Sequence, residues 1–356
     1  MPTTYAIPNG RTVMDATLYT GNGYPTAGTQ SIVNSDLGSG GFKPDFIWIK
    51  QTNGVGNHTL TDSVRGTNSQ LFSAQTVAQE TVTDAVTAFN TNGFSLGSNT
   101  QGTLPFVNTN NQSFVAWQWQ AGQGTTSSNT AGSQTSTVSV NATAGFSIVT
   151  FTATGVNVNG TVGHGLGATP SLIIVKNSAS ASNWVVYSSA VVTNVNQFLR
   201  LNDTSALITL SQVWGSTLPT STVFGIRGDV TVAASTACVA YCWTPIAGFS
   251  QFGSYTGNGS SDGPFVYTGF RPAFMLTKRT DTTSDWVIID TSRAPYNAVS
   301  PYIVVNTNAA ENNYTGWDLL SNGIKLRNTD AGINANGGTY IYMAFAENPF
   351  KYANAR

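Results

Sequence analysis

The side chains able to do chemistry are few, and their spacing limits what they could do. His58 and His164 are the only histidines, and Cys238 and Cys242 the only cysteines. His58 falls in the polar loop GVGNHTL and His164 in the turn-like GHGLG, far apart in the chain. A metal cluster built on His and Cys would need residues that the chain scarcely has, and no H-E-x-x-H, G-x-S-x-G, phosphate loop or dinucleotide fingerprint occurs. The cysteines lie four residues apart in CVAYCW, which reads as a strand. At about 3.3 Å per residue they are roughly 13 Å apart, too far for a disulfide, and are expected to be buried thiols. Carboxylates could act in pairs, as in glycoside hydrolysis, and Asp285, Asp290, Asp318 and Glu311 are the candidates. Asp62 and Arg65, however, recur as Asp290 and Arg293, with Glu80 taken as the counterpart of Glu311. An Asp-x-x-Arg in a loop is more simply an ion pair that fixes the connection. The sequence leads us to expect no enzyme, no cofactor and no metal site.

Aromatic side chains are the other resource. Trp48, Trp117, Trp119, Trp184, Trp243 and Trp286 fall on predicted strands and are expected in the core, whereas Trp214 and Trp317 lie in less regular sequence. Those two are the candidates for exposure and for stacking on a glycan ring, because a flat apolar face needs a flat aromatic partner. Composition sets the surroundings of these residues. The chain has 356 residues, 15 basic against 16 acidic, and only 9% charged, so its surface must consist mostly of Ser, Thr, Asn, Gln and Gly. No cluster of Lys and Arg offers a phosphate backbone its counter-charge, which disfavours nucleic acid as a partner. No apolar run reaches the roughly 20 residues of a membrane-spanning helix, so no membrane insertion is expected, and the start MPTTYAIPNGRTV has no export signal.

The elements that position these residues repeat three times. Unit one carries YTGNG from Tyr19, GFKPDFIWIK ending at Lys50, NGFSLG and FVAWQWQ; unit three carries YTGNG from Tyr255, GFRPAFMLTKR, NGIKLR and YIYMAFAE. Unit two is divergent but in phase, with GLGATPSLIIVK ending at Lys176, WVVYSS and CVAYCW. Lys176 to Lys278 and Trp184 to Trp286 are both 102 residues, the size of a small β domain. Short runs rich in β-branched and aromatic residues, some covered on both faces, predict strands in the middle of a sandwich, and Asn-Gly pairs supply hairpin turns. The predicted fold is all-β: three tandem β-sandwich-like domains of antiparallel strands at 1–121, 140–244 and 245–356, joined after unit one by a polar linker at 122–139. That Gly, Ser and Thr-rich linker is expected to be the more mobile junction. From Ser69 to Phe89 we expect a long connection with a turn or helical fragment.

GFKPDFIWIK followed by DSVRG, and the ending GGTYIYMAFAENPFKYANAR, resemble a family of tailed-bacteriophage virion proteins, frequent in marine and cyanobacterial phages. The resemblance covers nearly the whole chain and implies a tail, tail-fibre or appendage component that contributes to host-surface recognition. The alternative is a capsid-associated decoration, vertex or head-fibre protein with a purely structural role. The resemblance implies location in the virion after assembly in the host cytoplasm, with other virion proteins as partners and a host cell-surface glycan as ligand. Closed symmetry among copies is expected for such a component, a homotrimer first and five- or sixfold arrangements next.

Overall fold

A computed structural model describes residues 5–34, 41–100, 106–153, 155, 158–211, 213–227 and 236–346. Part of the A-F-A-E-N-P-F ending, from 347 on, lies outside the described residues. The protein is all-β, with several antiparallel sheets. Each unit builds the same five-strand arrangement. In unit one the spatial order is Met14–Thr20, Ser113–Trp119, Phe46–Gln51, Thr59–Asp62 and Ser69–Phe72. Unit two repeats it with Phe146–Thr152, Ala237–Trp243, Leu172–Asn177, Val185–Ser188 and Gln197–Arg200. Unit three repeats it with Ser250–Thr256, Thr339–Ala346, Pro272–Arg279, Trp286–Asp290 and Val299–Val304. In each, the last strand of the unit inserts between the first and the next, so a unit closes only when its final residues arrive. The unit-three sheet continues through Asn312–Leu320, Gly323–Leu326 and Phe265–Tyr267 and approaches a barrel.

Each five-strand sheet is buried on both faces, for two different reasons. One face packs on its own unit: Ile47, Ile49 and Phe114 with Phe94 in unit one, Ile173 and Val175 with Phe224 in unit two, Met275 and Ile289 with Leu319 in unit three. The other face packs on the other two units. Trp48, Trp117 and Trp119 share one cluster with Ile174, Tyr241 and Trp243 and with Phe274, Leu276 and Phe345. Near its middle Trp119 meets Trp243 at 6.2 Å and Phe345 at 5.9 Å, both edge-on, a favourable geometry for aromatic pairs. The three units are therefore not beads on a string; they close around one aromatic core.

Equivalent backbone bonds join the units in cyclic order. Ser182 N donates to Thr76 O and Gln79 N to Ser178 O, linking unit two to unit one at 2.7 and 2.8 Å. Ser284 N to Thr204 O and Leu207 N to Thr280 O link unit three to unit two, at 2.9 and 2.8 Å. Gly56 N to Asn308 O and Glu311 N to Thr52 O close the ring from unit one to unit three, at 2.9 and 2.8 Å. The result is a pseudo-threefold molecule within one chain.

Two local expectations are corrected. Residues 122–139 are not an open tether. The buried carboxylate of Asp45 accepts from the backbone N of Ala121, Gln123 and Gly124, each at 2.7 Å, and from Ser63 Oγ. The stretch then enters the unit-two sheet as Ser127–Asn129 and the start of Ser136–Asn141. Likewise Ser69 to Phe89 holds no helical fragment: it forms Ser69–Phe72, Glu80–Thr81 and most of Val86–Asn90, as its β-branched content favours. Its hairpin into Gly93–Leu96 needs the glycine, since Gly93 has φ of +143° and a Cβ there would sit 1.9 Å from Ile32 O.

Candidate functional site

The two Asp-x-x-Arg pairs lie at the joints between units. Arg65 Nε reaches Asp62 Oδ2 at 2.6 Å, and Arg293 Nε reaches Asp290 Oδ2 at 2.7 Å, with all four side chains buried. The same carboxylates hold the next unit: Tyr241 OH donates to Asp62 at 2.8 Å, and Trp117 Nε1 to Asp290 at 3.1 Å. Beside these bonds Phe46 stacks on Tyr241 at 4.3 Å, and Phe274 meets Trp117 edge-on at 5.9 Å. Arg65 Nη1 finds Gln79, and Arg293 Nη1 finds Glu311. Gln79, rather than Glu80, is thus the counterpart of Glu311; counting from the sequence missed it by one because the connections before it differ in length.

His58 occupies in unit one the place of Trp184 and Trp286. His58 and Trp184 immediately precede their strands and Trp286 opens its own, and all three point a ring nitrogen at the neighbouring unit. Trp184 Nε1 donates to Phe72 O at 2.9 Å and Trp286 Nε1 to Arg200 O at 2.7 Å, while His58 Nε2 lies 3.0 Å from Val304 O. Trp48 Nε1 donates to His58 Nδ1, which assigns the proton to Nε2 and makes it the donor to Val304. Burial, then the nearby Lys50 ammonium, holds the His58 pKa well below its usual range. His164 is also buried, bonded to Thr220 O and Leu166 N, with its pKa lowered by burial. Cys238 and Cys242 are buried free thiols; burial pushes Cys238 up to about 12 and Cys242 further in the same direction. Such thiols are poor nucleophiles at neutral pH.

A third set escaped the sequence reading. Lys50, Lys176 and Lys278, one per unit, are fully buried at the same joints. Lys176 Nζ donates to Thr76 O and Ser182 O, Lys278 Nζ to Thr204 O and Ser284 O, and Lys50 Nζ to Gln51 O. Desolvation lowers each pKa to about 8, against partial support from Glu311 at Lys50 and from Asp203 at Lys278. The only available signal was their equal place, six residues after Pro44, Pro170 and Pro272.

Trp214 and Trp317, expected at the surface, are both buried, with 0% and 1% exposed. Trp214 packs edge-on against Tyr187 and donates Nε1 to Gln197 O at 2.8 Å, so it is a core residue of unit two with no face left for a sugar. Trp317 lies on Asn312–Leu320, which pattern reading mistook for irregular sequence because Gly316 interrupts it. It forms part of the wall of a cleft of about 190 Å3 in unit three, together with Asp285, Tyr302, Tyr314 and Asp330. Its indole Nε1 has no hydrogen-bond partner among the described residues. A second, wider and polar groove of about 460 Å3 runs between units one and two, lined by Thr135, Thr137, Thr150 and Thr152 with Arg65 at its edge. Among the described residues no three of His, Cys, Asp and Glu gather at metal-binding distances.

Residues 10–349 match the family model described as "Domain of unknown function (DUF7483)", and the chain belongs to that family. No curated protein and no solved structure matches it.

Proposed function

We propose that the chain is a structural protein of a tailed-bacteriophage particle, a tail or tail-fibre component contributing to host-surface recognition and built from three β-sandwich-like domains. The observation that supports this most is the closure of three like units on one core. A ring of backbone, indole, imidazole and ion-pair contacts holds each unit to the next, and it occupies the histidine at 58, both Asp-x-x-Arg pairs and three lysines. A molecule whose reactive side chains are committed to holding it together suits a rigid part repeated by the symmetry of a particle. The weakly charged, hydroxyl-rich surface supports the same reading, since many copies pack closely without self-repulsion. In this reading its partners are other virion proteins and a host-surface glycan.

Cryo-electron microscopy of the particle that carries the chain tests this reading. Density projecting from the tail with a free distal face is the expected result. Density lying flat on capsid proteins would replace it with the decoration reading, and absence from purified particles would overturn both.

A further inference from the structure

We propose that the unit-three cleft is a binding site for a compact organic ammonium group. Three aromatic rings form one side of it. Tyr302 stands edge-on to Tyr314 at 6.3 Å and to Trp317 at 6.1 Å, so the rings meet at steep angles and make a corner rather than a flat platform. Asp285 and Asp330 also line it, beside Ser284, Val287 and Ile333. A cation set among aromatic faces is held by their quadrupoles, and the carboxylates supply the counter-charge. At about 190 Å3 the cleft is below the roughly 300 Å3 at which drug-sized sites begin, so it suits a head group rather than a chain of sugars.

Neither carboxylate needs its charge for the hydrogen bond that it accepts. Asp285 Oδ1 accepts from Asn306 Nδ2 at 2.8 Å, and in unit two the same task is done by neutral Asn183, which accepts from Asn202 Nδ2 at 2.9 Å. Asp330 Oδ1 caps the short helix Ala331–Asn334 through Gly332 N, a role that asparagine fills equally well. Among the described residues no Lys or Arg lies within ion-pair distance of either carboxylate, although Asp285 acts on the buried Lys278 behind it. The three groups line one cleft, and burial, then Asp330 and Asp285, hold the Tyr302 phenol above its usual pKa. The site does not depend on where in a particle the chain resides.

The test is titration of the full chain with choline, with D-glucosamine in its ammonium form, and with neutral N-acetyl-D-glucosamine, followed by Trp fluorescence and NMR. Saturable binding of at least one cation is expected, with none of the neutral sugar. The tighter of the two separates a quaternary from a primary ammonium. Asp285→Asn and Asp330→Asn should each weaken binding about tenfold or more; Asp330→Asn leaves the thermal midpoint unchanged because its capping acceptor survives, whereas Asp285→Asn lowers it slightly because the buried Lys278 loses a counter-charge. Failure of both cations to bind would overturn the proposal, as would variants that bind like the parent. Equal binding of the neutral sugar to parent and double variant would replace it with a neutral stacking site.

Discussion

Lys50, Lys176 and Lys278 each keep an ammonium in a dry joint between units, and the cost shows as a pKa of about 8 in the folded chain against 10.5 for the free side chain. Between those values the unfolded chain holds protons that the folded chain has released, so stability rises with pH through that window. The opposing groups are buried tyrosines such as Tyr241, whose pKa burial raises, and whose contribution is lost above pH 10. Stability is therefore expected to climb between pH 8 and about 9.5, on the order of 1 kcal/mol per lysine, and then to fall. Urea midpoints across that range measure it, and Lys278→Met should flatten the slope; a midpoint that stays level or drops between pH 8 and 9.5 would rule the mechanism out. Little of this was legible in the sequence, because a lysine at a strand end reads as a solvated terminus. His58 was misread for the same reason: a histidine after Gly-Asn suggests a polar loop, and only the neighbouring unit reveals it as a joint residue. Trp214 and Trp317 failed as surface candidates because irregular local sequence says nothing about what another segment lays over it.

At the level of elements, the Asp-x-x-Arg turn is a joint that one interface lacks. In unit two its positions are Ser188 and Val191, and the facing residue of unit three, equivalent to Tyr241 and Trp117, is Met343. Met343 belongs to the shared core and the half-buried Val191 packs against it, so the same geometry is filled once by apolar packing and twice by a buried ion pair. Removing one partner of such a pair leaves an uncompensated buried charge, so Arg65→Ala is expected to cost about 3–5 kcal/mol. Replacing the whole set by apolar groups is often neutral, and the triple change Asp62→Ser, Arg65→Val, Tyr241→Met should recover most of that loss. Chemical denaturation of the single and triple variants decides the matter; a triple variant no better than Arg65→Ala would show that the two kinds of joint are not interchangeable. The recurrence of Asp-x-x-Arg was visible in the sequence, and its absence from unit two was visible as well. What could not be read was that each carboxylate answers to a strand end in another unit. The stretch at 122–139 misled because Gly, Ser and Thr usually mark a free linker, whereas here Asp45, some 80 residues upstream, fixes its first turn.

For the whole molecule, the repeat spacing pointed to several like β units, yet it left open both the order of their strands and how the units meet. A run such as Phe46–Gln51, buried at every residue, reads as a strand covered on both faces, and in a tandem array both covers would come from its own unit. Here one cover comes from the other two units, so no unit owns a complete core. Three separate domains would unfold in up to three steps, each responding only to changes in its own residues. One shared core predicts a single transition in which the calorimetric and van't Hoff enthalpies agree. Trp119, in contact with Trp243 of unit two and Phe345 of unit three, is the most direct probe. Trp119→Ala should cost about 3–5 kcal/mol and lower that one transition as a whole. Amide exchange in Leu172–Asn177 and Pro272–Arg279 should accelerate alongside that in Phe46–Gln51. Resolved transitions in the parent, or faster exchange confined to unit one in the variant, would mean that the units carry their own stability and that the ring of contacts only ties finished domains together.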